Sequence, residues 1–555
     1  MRPHQPCRTF PGGGRQQRRT TTALVRLVVL AVLAGLSLAP GCRSGSDAAS
    51  ERATEIGASK RTVTTPATTP ATPASTAPTP GRVNPDPTRD GTGRRPPADG
   101  SDPDGVGDAY FPRAGNRGID VLSVDLQLDW TPGPASSARA PANQPAGTFG
   151  HGGTLAAVAD LRLAITAARQ GVQLDLVGLQ VRSARLDDAE VPFEQRDGEL
   201  IIAPALPFQP GGQHRVVVAY GGDPVPVPDP SGFGIGLGWV APHAGDGAYV
   251  ASEPVGAPNW FPTNDHPTDK MLVRLAVTVP DAYEVMATGS AGDREAGPRA
   301  GSTTWRFEPR DPMAAYLLSV AIGRFDLINS PASGSGVPVR SAVPEGRGGE
   351  LASRLEPLGA MIDVFSAHFG PYPFEVYGTL VVNEKLGYAL ENQTLSLFGL
   401  DTVQSEAKVA HELAHQWFGN SVSVHRWADI WLNEGPATYA EWLWDEANGV
   451  DINARAALEW SELKPADSGA IANPGVAGLF GTAVYQRGAL TLHALRRTVG
   501  DQAFFAILQT WNQRFRHGSA STADFVALSS ELAGLPLEGF FQRWLGDPVM
   551  PDLPE

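Results

Sequence analysis

Apolar residues change their period part-way along this chain, and that change restricts it to two kinds of packing layer. Leu122, Val124, Leu126, Leu128 and Trp130 alternate with Ser123, Asp125, Gln127 and Asp129. Met271, Val273, Leu275, Val277 and Val279 repeat the pattern in MLVRLAVTVP. A period of two marks strands with one buried face. TLAAVADLRLAIT, ELIIAPA and HRVVVAYGG read the same way, separated by Gly, Pro and Asp turns. Residues 109–335 are therefore expected to form an antiparallel β-rich domain. Past residue 336 the spacing becomes helical in LASRLEPLGAMIDVFSAHFG, returns to a strand in YGTLVVNE, and is helical again from Ala407. AKVAHELAHQWFG, ATYAEWLWDEANG, AVYQRGALTLHALRRTVG, DQAFFAILQTWNQRF, STADFVALSSELAG and PLEGFFQRWLG are the expected helices. Residues 336–555 thus read as a mixed domain with a helical C-terminal half, and the fold class is α+β.

The N-terminus reads as an export signal. Arg15, Arg18, Arg19 and Arg26 accompany the apolar run LVVLAVLAGLSLA, Leu27 to Ala39. That run is too short to span a bilayer comfortably and suits the core of a signal peptide over residues 1–41. It ends in LAPGC, so Cys42 stands where a bacterial lipoprotein carries its lipid, although Ala39 and Pro40 are not the usual residues there. A lipid anchor on the outer face of the cell membrane is the expectation, and plain secretion the alternative. TVTTPATTPATPASTAPTPG, Thr62 to Gly81, cannot bury a core and favours extended backbone, which makes residues 42–108 a linker. Cys7 and Cys42 are the only cysteines. Any metal in the body of the chain must then be held by His and carboxylate, the donors of a catalytic site. A net charge of −15 argues against nucleic acid as a partner.

HELAHQWFGN, His411 to Asn420, sets the chemical question. Residues four apart share a helix face, so His411 and His415 can grip one ion. Glu412 then sits beside the ion, where it can take a proton from water. A core helix with two histidines is the bland alternative. A catalytic zinc needs a third protein ligand, and WADIWLNEGPATYAEW offers Glu434 after 18 intervening residues. The helix of His411 is expected to run to Gly419. Pro436 is tolerated only in a first turn, so Glu434 should lie at the start of its helix. Glu441 shares a face with Glu434 and either orients a ligand or is a surface acid.

HELAHQWFGN followed by WLNEG closely resembles the aminopeptidase N family of gluzincin zinc peptidases, and the resemblance covers most of the chain from about residue 109. It implies a saddle-like β domain, a thermolysin-like catalytic domain and one Zn2+ held by His411, His415 and Glu434. In GYALENQT it places Glu391 where the family's glutamate binds a substrate's free amine, with Tyr388 in place of glycine. In ASEPVGAPNWFPTNDHP it aligns Glu253 with a second amine-binding acid, with Ala251 in place of glutamine. Tyr485 in AVYQRGALTLHAL aligns with the tyrosine that shares the charge on the scissile carbonyl oxygen, and Arg487 stands at a lysine position. Pro436 departs from a larger apolar residue. The implied activity is hydrolysis of the first residue from peptides with a free N-terminus, with Glu412 as general base and no obligate protein partner. Opening of a lipid epoxide on the same scaffold, or non-catalytic surface binding on a retired peptidase, are the rivals. The family's larger members add a C-terminal helical domain over the site; this chain ends at FFQRWLGDPVMPDLPE, so a more open cleft is expected.

Overall fold

The structure, a computed structural model, describes residues 105–133, 152–232, 234–242, 246–463 and 469–554. The expected signal peptide, Cys42 and nearly all of the linker lie outside these residues. The described residues belong to one compact unit, Asn84–Glu555.

The alternating stretches form strands. Ile119–Thr131 pairs antiparallel with Thr154–Ile165, which pairs antiparallel with Gln213–Gly222, within a nine-stranded sheet. On its other edge Ile119–Thr131 runs parallel to Lys270–Pro280, with Ser123 opposite Leu272. The sheet is therefore mixed, because these two strands are joined through a long excursion and not a tight turn. Leu122 does not share the buried face of Val124. A bulge between Val121 and Ser123 reverses the alternation, and Val121 and Ile119 are buried instead. A second, five-stranded sheet holds Ala248–Ala251 between Gly236–Val240 and Val320–Gly323. Its exit leads directly to Glu253.

A third sheet carries the other half of the site. Its order is Phe325–Ser330, Val339–Pro344, Tyr377–Val381, Ser396–Phe398 and Ala389–Leu390. The first two form a hairpin across the expected boundary at 335, so this sheet begins earlier than the change of period suggests. Nine α-helices are described: α1 Gly348–Leu355, α2 Leu358–Phe369, α3 Glu406–Ala414, α4 Trp431–Ala447, α5 Ile452–Leu463, α6 Thr482–Val499, α7 Asp501–Arg514, α8 Thr522–Ala533 and α9 Glu538–Phe541. Glu356 and Pro357 part α1 from α2, Pro357 lacking the N–H that would continue α1. The stretch PLEGFFQRWLG is helical only to Phe541 and then widens into a π-type turn, Gln542–Gly546.

One hydrophobic core runs through both halves, joining Trp239 and Trp260 to Trp417 and Trp431. Lys270, at the start of its strand, donates to the carbonyls of Asn420 (2.8 Å) and Ser421 (2.9 Å), tying the nine-stranded sheet to the loop behind α3. Among the described residues no helix is long and apolar enough to cross a membrane.

Candidate active site

Three helices and two strand ends converge on one cavity of about 450 Å³, and all seven residues predicted for the site line it. α3 starts cleanly, because Ser405 caps it by accepting the Lys408 backbone N–H. It stops at Ala414, short of the expected Gly419. His415 still has helical angles, but the N–H groups of Asn420, Ser421 and Val422 reach back five residues to the carbonyls of His415, Gln416 and Trp417. Gly419, at φ 114°, takes the backbone through this wider turn. The turn directs the side-chain amides of Gln416 (3.1 Å) and Asn420 (2.6 Å) to the carbonyl of Glu391.

α4 brings Glu434 back beside α3. Glu434 lies in the first turn, as expected, but Pro436 lies deeper, at the sixth residue of the helix. Its ring removes the hydrogen bond that the Leu432 carbonyl would receive. Burial of nearly every residue from Trp431 to Ala440 outweighs that local penalty. Gly435 is required by a close crossing: a Cβ there would stand 3.0 Å from the backbone of Gly488 in α6. The Gly435–Gly488 contact seats Tyr485, one turn before Gly488, over the site. The phenol ring stacks on His411 with centroids 5.7 Å apart and planes 19° apart.

His411 Nε2 lies 3.2 Å from Glu434 Oε2, and His415 Nε2 lies 3.4 Å from the same oxygen. Donors about 2.0–2.1 Å from a tetrahedral ion are about 3.3 Å apart, so the three atoms have the spacing of one ligand set. The protons agree. His415 Nδ1 lies 3.0 Å from the carbonyl of Phe418, which can only accept, so the proton sits on Nδ1. His411 Nδ1 lies 2.9 Å from Glu441 Oε1 in the same way. Both Nε2 lone pairs then face a carboxylate, an arrangement that a cation between them resolves. Glu441 thus contacts His411 and is half-buried beside it. Glu434 and the two histidines also attract one another electrostatically. Burial opposes a charge on His415, yet Glu391 and Glu434 push it up to about 9. Burial opposes ionisation of Glu434, yet His415 and His411 hold it down to about 2.

Beyond this set lie two more carboxylates. One oxygen from each of Glu253, Glu391 and Glu434 falls within 4.8 Å of the others. Glu253 and Glu391 are buried, and the Oε1 atom of each has no hydrogen-bond partner. Burial and their mutual repulsion push Glu253 far up, and burial pushes Glu391 up as well. Such a pair ionises fully only opposite a positive charge. Glu412 is buried too, and burial, against the pull of His411 and His415, pushes it up to about 7, so it accepts protons near neutrality. Burial and then Glu434 hold the Tyr485 hydroxyl protonated, as a donor.

Three neighbours escape motif reasoning. Tyr316, buried with an unpartnered hydroxyl, feels Glu253, Glu391 and Glu434, yet in MAAYLLS it reads as an ordinary core tyrosine. Gln416 and Asn420 position Glu391 through its backbone. The signal for them was the pair of buried amides following HELAH.

A sequence profile described as the Peptidase family M1 domain matches residues 354–544. An M1 zinc metallopeptidase from Deinococcus radiodurans, in a glutamate-to-alanine variant bound to a Tyr-Ser-Ala substrate, is 32% identical with a TM-score of 0.71; the match covers 81% of this chain and 99% of that one. Aminopeptidase M1-D of Oryza sativa subsp. japonica is 27% identical over 324 residues, 54% of this chain and 36% of its own. A probable aminopeptidase 1 of Saccharolobus solfataricus is 25% identical over 417 residues, 70% of this chain and 51% of its own. The chain thus spans between a third and about half of these two curated relatives.

Proposed function

We infer that this chain, which belongs to peptidase family M1, is a zinc-dependent aminopeptidase that removes the first residue from peptides with a free N-terminus. One observation supports the exopeptidase reading above the rest: the buried, unpartnered oxygens of Glu253 and Glu391 beside the His411, His415 and Glu434 set. A buried pair of acids without a counter-charge is costly, and a substrate's terminal ammonium supplies that charge. It also fixes which bond is cut, since the chain end can go no further.

His411, His415 and Glu434 would hold the zinc ion. When bound, zinc supplies Lewis acidity, lowering the pKa of water and polarising a carbonyl. Glu412 accepts the proton of the attacking water and delivers it to the leaving amine. Glu391 and Glu253 hold the ammonium, so the first carbonyl is presented in one orientation. Tyr485 donates its hydroxyl to the oxygen on which charge develops. Glu441 keeps the proton of His411 on Nδ1 and its lone pair on Nε2.

Hydrolysis of a panel of aminoacyl naphthylamides, with and without a chelator, tests the reading. Release is expected to stop on chelation and return with added zinc, and N-acetylated substrates are expected to resist. No release from any aminoacyl amide by zinc-loaded protein would sink it. A second expectation concerns the orienting acid. Glu441→Gln should weaken zinc retention by roughly 10-fold, read by competition with a chromophoric chelator; unchanged retention would reduce Glu441 to a surface acid.

Export belongs to the same proposal. The basic region, the short apolar run from Leu27 to Ala39, Cys42 and the Thr/Pro/Ala tract support an enzyme held outside the cell membrane by a lipid on Cys42, or secreted.

A further inference from the structure

We propose that Lys408 recognises a carboxylate on the residue immediately after the scissile bond, so that the enzyme favours dipeptides and peptides with Asp or Glu in second place. The inference rests on the aminopeptidase reading and adds a substrate class to it.

The argument is one of direction along the cavity. Two walls face it, the segment Gly387–Glu391 and helix α3. Glu391 is stitched to the C-terminal end of α3, by Gln416 and Asn420 on its carbonyl. Leu386 and Gly387 are stitched to the other end, donating their N–H groups to Asp401 (3.0 Å each), just before α3 begins. The walls therefore run side by side. From Glu391 back to Tyr388 is about 10 Å of extended chain. From His415 back to Lys408 is about 10 Å of helix. The amine anchors and His415 mark one end of this track; Tyr388 and Lys408, both lining the cavity, mark the other. His411 and Glu412 lie between them.

A peptide whose ammonium sits at Glu391 and whose first carbonyl sits over His411 must extend its second residue toward Lys408. Lys408 is the sole lysine or arginine among the described residues that line the cavity, against six carboxylates. Its side chain is exposed, and no carboxylate of the described residues pairs with it. A flexible ammonium one helical turn before His411 can reach either a chain terminus or an acidic side chain on that second residue. With so many acids around it, an unpaired lysine also offsets the field that would otherwise repel such a substrate.

The test compares matched substrates within each enzyme, so that only ratios matter. Alanyl-aspartyl amide against alanyl-asparaginyl amide reads the side-chain carboxylate. Alanyl-alanine against its amide reads the chain terminus. In zinc-loaded Lys408→Ala the acid-to-neutral ratio of kcat/KM is expected to fall about fivefold from wild type in at least one pair, the size of a partly screened ion pair. Lys408→Glu should lower it further, Lys408→Arg should keep most of it, and the difference should shrink as salt is raised. The pair that moves names the source of the carboxylate. Ratios within about twofold of wild type in both pairs, for both the Ala and the Glu variants, would overturn the proposal. Absence of alanine release from all four substrates by the wild-type enzyme would instead sink the aminopeptidase reading, and this inference with it.

Discussion

Glutamine at position 412 is expected to lower kcat on an aminoacyl anilide by roughly 1,000-fold, within the range of a general base, while bound zinc stays at wild-type content. The amide keeps the size of the side chain and loses only the basic oxygen, so packing in the buried helix is preserved. The zinc measurement matters as much as the rate. His411, His415 and Glu434 form one possible ligand set, but Glu391, Glu412 and His415 also bring three donor atoms within 4.8 Å of one another. An ion in that second set would use Glu412 as a ligand, and the variant would lose metal together with activity. The proton arrangement favours the first set, because both histidines turn their free Nε2 atoms to Glu434. Full zinc with little activity therefore fixes both the ion's place and the role of Glu412. Full activity would remove Glu412 from the reaction.

His411, Glu412, His415 and Glu434 were legible because each holds a fixed spacing on a regular element. His411 and His415 are four apart on or at the end of a helix, and Glu434 opens the next helix. What the sequence hid was where regularity breaks. Leu122 looks like its neighbours, but a bulge depends on the partner strand Thr154–Ile165, which no local pattern reveals. α3 ends five residues before Gly419 because the following turn bonds to a segment, Glu391, that is not its sequence neighbour. Pro436 sits inside a helix against its own propensity because tertiary burial there is nearly complete. Tyr316 and Lys408 belong to no local motif: Tyr316 is marked by the carboxylates it feels and Lys408 by its place on the cavity wall. Glu391, Tyr485 and Glu253 were placed by resemblance; the proximity of Glu253 to Glu391 required the second sheet to deliver it from a distant stretch of chain.

Replacing Glu391 by glutamine should cost about as much as any change short of removing the base. Two buried acids face one ammonium, and deleting one charge from a buried pair costs about 3 kcal/mol, or roughly 150-fold in kcat/KM. The loss should be confined to substrates with a free amine, so discrimination against an N-acetylated analogue should narrow by the same factor. Glu253→Gln should also lower kcat/KM on free-amine substrates, since its carboxyl shares the buried site with Glu391. The double variant should lose less than the product of the single effects, because both acids act on one charge. Stability gives the control. Glu391 Oε1 has no partner, and its backbone carbonyl keeps Gln416 and Asn420 whatever the side chain. Glutamine removes a buried charge, so Tm should hold or rise. A loss of activity with a lower Tm would mean that Glu391 supports the fold, and equal losses on free and acetylated substrates would mean that it does not hold the amine.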